Sequence, residues 1–435
     1  MKAIRYAAVL IGLAVPAHAA VDIQTVTSPG GITAWLVEDH NIPFTALEIR
    51  FKGGPLLDAD DAQGAANMMT ALLEEGAGDR DASAFAAARD DLAARFGFSS
   101  DSDTISVSAQ MLTENRDEAA GLLRDALTEP RFDADAVERV RGQILSNIRS
   151  DAQDPGAIAM HTMQREAFAT HPYARDSSGT LDDVKSLTRD DLEAARQSMM
   201  TRDHLYVAAA GDIDPEALGA LLDRVLGDLP ATGAALPPEA EWKTDGSTTV
   251  VDFPTPQSVV RFGQPGIDLH DPDFFAAYVL NEIMGGSRFS ARLMDELRAK
   301  RGLTYGAYSY LCTMERANFL LGQFASDNDK VAEAVDVTRD IWRRTAENGV
   351  TKDELDAAKT YLTGAYPLRW DGNGPIASIL VGMQMQGFPA DYPRTRNDRI
   401  DAVTLADVNR VAARLLQPDN LHFVVVGQPD GMTTD

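Results

Sequence analysis

The segment LTRDDLEAARQSMMTRDHLYVAAAGDID, Leu187 to Asp214, lines up without a gap against VTLADVNRVAARLLQPDNLHFVVVGQPD, Val403 to Asp430. Thr188/Thr404, Asp191/Asp407, Asp203/Asp419, Leu205/Leu421, Gly211/Gly427 and Asp214/Asp430 are identical. Each copy reads as a helix, a turn and a buried strand, so one local fold recurs about half a chain apart. Upstream, LAARFG from Leu92 matches LRAKRG from Leu297 at a slightly smaller offset. The simplest account is an α+β fold of two homologous domains made by internal duplication, each a mixed β-sheet with helices packed on one side. The expected domains are residues 20–227 and 248–435. Between them DLPATGAALPPEAEWKTDGS, Asp228 to Ser247, is rich in Pro, Ala, Gly and Glu and reads as a linker.

The totals fit this division. A chain of 435 residues is too long for one ordinary core and suits two domains of about 200 residues each. Lys2 and Arg5 precede an apolar run from Ala7 to Val15, and Ala17-His18-Ala19 supplies an Ala-x-Ala cleavage site. Residues 1–19 therefore read as a signal peptide, which implies export, most simply to a bacterial periplasm. That run is too short to span a bilayer, and no other apolar segment is long enough. The net charge of −26 argues against nucleic acid or an anionic membrane as partner and fits a surface kept soluble by acidic residues. Cys312 is the only cysteine, so no internal disulfide forms, and it reads as an inert core thiol.

Along the first half, Ile32 to Val37 and Thr45 to Phe51 read as strands. Gly64 to Leu73 and Ala82 to Arg95 read as helices, with Asp81 placed to cap the second. Ser102 to Met111 alternates as a strand, and the helical stretches Arg116 to Leu127 and Ala134 to Asp151 follow, continuing to Ala169 after an interruption at Pro155. In the second half, GGSRFSARLMDELRAKRGLTYGAYSYL, Gly285 to Leu311, reads as a helix from Phe289, ended by Gly302, and a strand over Thr304 to Leu311. Arg298 and Tyr305 flank that corner and are able to converge on one carbonyl, or on the oxyanion it becomes in acyl transfer. From these residues alone the plainer reading is a solvated arginine and a core tyrosine. Arg261 and Phe262 fall where an apolar strand is expected and carry no assigned role.

With a signal peptide, duplicated halves and SARLMDELRAKRGLTYGAYSY, the chain resembles the insulinase/pitrilysin family of zinc metallopeptidases, the inverzincins. The resemblance spans nearly the whole chain beyond the leader and is closest to shorter bacterial members and mitochondrial processing peptidase subunits. Catalytic members carry an H-x-x-E-H helix in the first domain, with two zinc-binding His, a water-polarising Glu and a downstream Glu as third ligand. Here the corresponding stretch is GAANMMTALLEEGAGD, Gly64 to Asp79. Asn67 and Ala71 occupy the His positions and Thr70 that of the general base. Asn147, in VERVRGQILSNIRSDAQDP, stands where the third ligand belongs. None matches an imidazole and carboxylate set, so the chain is expected to hold no metal. The remaining histidines show no helical pairing, Glu74 and Glu75 point to different helix faces, and His171-Pro172-Tyr173 matches a family loop read as structural.

The resemblance gives Arg298 and Tyr305 a role. The family's C-terminal domain contributes an Arg and a Tyr seven residues apart that hold the substrate backbone and stabilise the oxyanion across from zinc. In heterodimeric members one chain carries zinc and the other this pair, and the sequence is similar to the second kind. The implied partner is a homologous subunit with H-x-x-E-H, which would hold the zinc, and the implied substrate a peptide, approached by a backbone loosened at Gly285-Gly286. A plain helix-ending turn is the alternative for these glycines. From another class, family members in the respiratory chain serve as non-enzymatic core subunits, so a scaffold on the same fold is the competing expectation.

Overall fold

The computed structural model describes residues 22–434, so the expected leader lies outside the described residues. Strands β1 (Gln24–Thr27), β2 (Thr33–Glu38) and β3 (Phe44–Lys52) lead into helix α1 (Ala65–Leu72). A small hairpin, β4 (Gly76–Ala77) and β5 (Arg80–Asp81), precedes α2 (Ala82–Asp91), β6 (Arg95–Ser100) and β7 (Thr104–Leu112). Next come α3 (Arg116–Thr128), α4 (Ala134–Asp151), α5 (Pro155–Phe168), α6 (Leu181–Ser186) and α7 (Arg189–Met199). Strand β8 (Leu205–Gly211) and α8 (Pro215–Leu226) close the first half. The second opens with β9 (Thr248–Asp252), β10 (Gln257–Pro265), α9 (Phe274–Gly285), β11 (Ala307–Thr313) and β12 (Asn318–Asp327). It continues through α10 (Val331–Asn348), α11 (Lys352–Ala365), α12 (Asn373–Met385), α13 (Tyr392–Ala402) and α14 (Leu405–Leu415) to β13 (His422–Gly427).

Strand order displays the duplication. One sheet runs β1-β2-β8-β3-β7-β6 and the other β9-β13-β10-β12-β11. Apart from β1, they correspond strand for strand: a parallel pair, β2 with β8 or β9 with β13, then antiparallel pairs out to an edge strand, β6 or β11. The repeated residues have local reasons. Thr188 and Thr404 cap α7 and α14, and Asp191 and Asp407 complete a capping box in each. Gly211 and Gly427 end the inner strands, where a Cβ would sit 2.3 Å from the Phe44 carbonyl oxygen or 2.2 Å from Ser258 Oγ.

Each half packs its own helices on one face of its sheet, as expected, and a helix from the other half covers the opposite face. Helix α5, from the first half, lies across β10 and β13 of the second sheet, and α12, from the second half, lies across β3 and β8 of the first. Ala377, Leu380 and Val381 of α12 are buried against Ala46, Ala208 and Ala210, whose methyl groups let the helix come close. Phe168 of α5 meets Tyr173, Trp242 and Phe319 at ring centroid distances of 5.4, 5.8 and 5.4 Å. Polar bonds follow the same crossing. Glu166 of α5 meets the buried His422 Nε2 at 2.7 Å and accepts from Thr249 Oγ1 at 3.1 Å. Tyr173 donates its hydroxyl to Asp103, while that hydroxyl and that carboxylate accept the Arg316 and Glu315 N–H groups at 3.0 Å each. Residues 228–247 form no helix or strand, yet Ala240 and Lys243 donate backbone bonds to Arg316 at 2.7 Å and Ala167 at 2.8 Å, which fixes the segment against both halves.

Two local readings also change. The helix expected over Ala82 to Arg95 stops at Asp91, because Ala93 takes a φ of +49° and Arg95–Ser100 extends as the edge strand β6. The helix expected from Phe289 begins at Arg292, and Met294–Lys300 is wound as a π-helix. Gly302, at φ +63°, ends it, and the strand begins at Ala307 rather than Thr304.

Truncating the aromatic contact of α5 tests the crossing. Phe168→Ala should cost about 3–5 kcal/mol by emptying a packed site, read as a lower urea midpoint in one cooperative transition. Two separate transitions in the parent protein would contradict mutual dependence of the halves.

Candidate functional site

Helix α1 is seated at its N-terminus by a carboxylate reaching from outside it. Asp58 accepts the Gly64 and Ala66 N–H groups, each at 2.9 Å, and burial pushes its carboxyl up to about 7 against these bonds. Gly64 sits at φ +85°, where a Cβ would strike the Ser178 carbonyl oxygen at 2.5 Å. α1 packs directly on α4, so the two helices on which the family builds a zinc centre are adjacent.

The side chains do not fit that metal. Asn67 is half-buried and Ala71 exposed, while the buried Thr70 donates its hydroxyl to the Ala66 carbonyl at 2.7 Å, within its own helix. Asn147 is exposed and accepts from Gln143 at 2.9 Å. An amide, a methyl and a hydroxyl already bonded in the helix offer neither imidazole nor carboxylate. Nearby acids are engaged elsewhere: Glu74 pairs with Arg89 at 3.1 Å, and Glu75 pairs with Arg139. Among the described residues no group of three or more His, Cys, Asp and Glu is placed to hold a metal. The histidines serve other ends. His40 lies between Asp212 and Glu38, at 2.7 and 3.3 Å, and its imidazole is shifted upward chiefly by the Asp212 bond. His171 accepts the Tyr173 N–H at 3.2 Å and contacts the Pro238 carbonyl at 3.1 Å, so the His171-Pro172-Tyr173 loop is a structural clasp. Burial pushes the Cys312 thiol up to about 12, which leaves it protonated and unreactive.

The arginine–tyrosine corner is built differently. Its base is fixed by Arg292, which holds Glu354 at 2.7 and 2.8 Å, Thr345 Oγ1 at 2.6 Å and the Gly349 carbonyl at 3.1 Å. One turn on, Arg298 projects to the surface with its guanidinium 4.9 Å from the centre of the Phe289 ring. Tyr305 is 84% exposed, so it is no core aromatic, and Phe289, which carries Arg298 on its ring, is 72% exposed. Among the described residues no hydrogen bond or ion pair engages the Arg298 guanidinium or the Tyr305 hydroxyl. The pair therefore presents unspent donors on an anchored loop. Gly285 and Gly286 have reasons of their own: a Cβ on the first would lie 2.2 Å from Ser309 Oγ, and on the second 2.2 Å from Glu282 Oε2. They let α9 end against β11 and above the Glu282–Arg288 pair, which is 2.9 Å long. The Asp58 seat of α1 and the Glu166–His422 contact went unread in the sequence, since their partners lie outside any local motif.

Comparison with known proteins agrees with this geometry. The family description "Insulinase (Peptidase family M16)" matches residues 34–181, and "Peptidase M16 inactive domain" matches residues 186–362. A non-peptidase homolog of Helicobacter pylori is 26% identical over 89% of this chain and 90% of its own. An uncharacterized zinc protease of Streptomyces coelicolor is 26% identical over 92% and 88%. A solved peptidase M16 inactive domain from Pseudomonas fluorescens superposes with a TM-score of 0.88 and 28% identity, covering 95% of this chain and 99% of that one. Elemental analysis after equilibration with zinc and dialysis should find less than about 0.1 zinc per parent chain, and close to one after the joint change Asn67→His, Ala71→His and Asn147→Glu restores a three-donor set. Stoichiometric zinc in the parent would overturn the reading of these positions. On the two matched descriptions, which together run from residue 34 to residue 362, the chain belongs to the M16, or insulinase, family.

Proposed function

We propose that this chain is the zinc-free subunit of an exported, heterodimeric M16 peptidase and supplies Arg298 and Tyr305 to the zinc site of an H-x-x-E-H-bearing partner. The observation that carries the reading is the contrast between the two halves. The zinc positions on α1 and α4 lack zinc ligands, whereas the Arg298 and Tyr305 donors are present, exposed and held by no hydrogen bond or ion pair among the described residues. A pure scaffold has no evident need of that pair. Export to the periplasm rests on the leader at residues 1–19 alone.

The division of labour is chemically sound. The partner's zinc and glutamate would generate and aim the attacking water, which needs ligands this chain lacks. Arg298 and Tyr305 would donate to the scissile carbonyl oxygen as negative charge grows on it, and preorganised donors of this kind act mainly on the transition state. Tyr305 would contribute a neutral O–H and Arg298 a fixed cation with forked donors.

Two measurements test this. Affinity purification of the tagged chain from its own cells should recover a stoichiometric H-x-x-E-H homologue with one zinc per pair; a zinc-free homodimer or a large assembly without such a chain would favour the scaffold. In the pair, Arg298→Ala or Tyr305→Phe should lower kcat by on the order of 100-fold with zinc content unchanged. Unaltered turnover in both variants would remove the role.

A further inference from the structure

The second sheet ends in an edge strand that opens into a cleft of its own. β11 pairs only with β12 among the described strands. Its odd-numbered residues direct their backbone groups away from β12: the Ala307 N–H meets Met294 Sδ at 3.3 Å, and the Ser309 carbonyl accepts from Asn281 Nδ2 at 3.0 Å. Antiparallel alternation puts the backbone groups of Leu311 and Thr313 on that same outer side. Both residues line a cleft of about 960 Å³ enclosed by α9, α12, α13 and the segment following α11. Its walls carry Phe274, Tyr278, Ile379 and Tyr392, with Tyr310 37% exposed and Leu368 79% exposed as further apolar surface. The charge within the cleft runs against that of the molecule. On a chain of net charge −26, its lining sets Arg369 and Arg396 against Asp371 alone. Arg396 is buried, donating to the Leu362 carbonyl at 3.2 Å and lying 4.2 Å from the centre of the Tyr366 ring. Arg369 is exposed and has no ion-pair partner among the described residues.

We infer that this cleft is a peptide-binding site, separate from the Arg298–Tyr305 corner, that takes a short extended peptide ending in a free carboxylate. The peptide backbone adds to the open side of β11 at Leu311 and Thr313, its apolar side chains lie among the aromatic walls, and its carboxylate meets Arg369. Main-chain pairing gives such sites affinity, and the pockets beside the strand give them selectivity. An aromatic lining without a cation would accept apolar groups of any charge; the unpaired Arg369 singles out the anionic end. The inference builds on a peptide-handling role for the chain but needs neither a zinc-bearing partner nor turnover.

The test uses the chain alone and a fluorescein-labelled tetrapeptide of phenylalanine, serine, phenylalanine and leucine, prepared as C-terminal acid and as amide. Fluorescence anisotropy should show saturable binding of the acid and at least about fivefold weaker binding of the amide. Arg369→Gln should erase that difference. Thr313→Pro, which removes an outward N–H, should weaken the acid at least about tenfold, whereas Thr313→Ala, which keeps it, should stay within about twofold. Should the proline variant fail to fold, Ser378→Trp, which fills the cleft from an exposed position on α12, should weaken binding by the same factor. Absence of saturable binding, or equal binding by acid and amide and by all variants, would overturn the site. Neither result bears on co-purification of an H-x-x-E-H chain, so failure here and failure of the heterodimer are told apart.

Discussion

Everything in this molecule depends on the covering of each sheet by a helix from the other half. Every residue of β13 is buried, and β8 is buried from Val207 to Gly211, so these strands need apolar cover on both faces. Their own helices supply one face. α5 and α12 supply the other, and each crosses to do so. The duplicated halves are therefore packed against one another through both sheets, and the rings around Phe168 lie between them.

Within that frame α1 and α4 lie together, and Asn67, Ala71 and Asn147 on them offer no imidazole or carboxylate. α1 still packs on α4, and Asp58 still fixes its first turn, because both serve the core whatever the side chains at Asn67 and Ala71. Neither position is fully buried, so side chains of different size fit there without cavity or strain. Thr70 is buried, and it satisfies its hydroxyl within the helix at the cost of one shared carbonyl. The Arg298–Tyr305 corner is exposed and makes few stabilising contacts, so packing does not explain these two side chains.

The sequence made the duplication legible because its repeated residues act locally: capping boxes at Thr188 and Thr404, and glycines where strand ends approach a neighbouring chain. The assignment of Asn67, Thr70 and Ala71 rests on spacing within one helix, and that of Asn147 on its distance along the chain to a second helix. The exchange of α5 and α12 was not, because α12 is apolar on most sides and its pattern does not say which sheet it faces. The π-helix at Met294–Lys300 was missed because one extra residue per turn leaves an apolar pattern that reads as ordinary helix. Tyr305 was ambiguous because an aromatic at a strand start serves a core or a surface equally well, and only the late start of β11 at Ala307 leaves it outside.

The crossing also has a consequence in time. β8 completes the first sheet at Gly211, but the helix that covers its outer face begins only at Asn373. At ribosomal rates of about 5–20 residues per second, that face waits roughly ten to thirty seconds for its cover during synthesis. Until α12 docks, the alanine-lined surface of β3 and β8 has no cover from any helix of the first half.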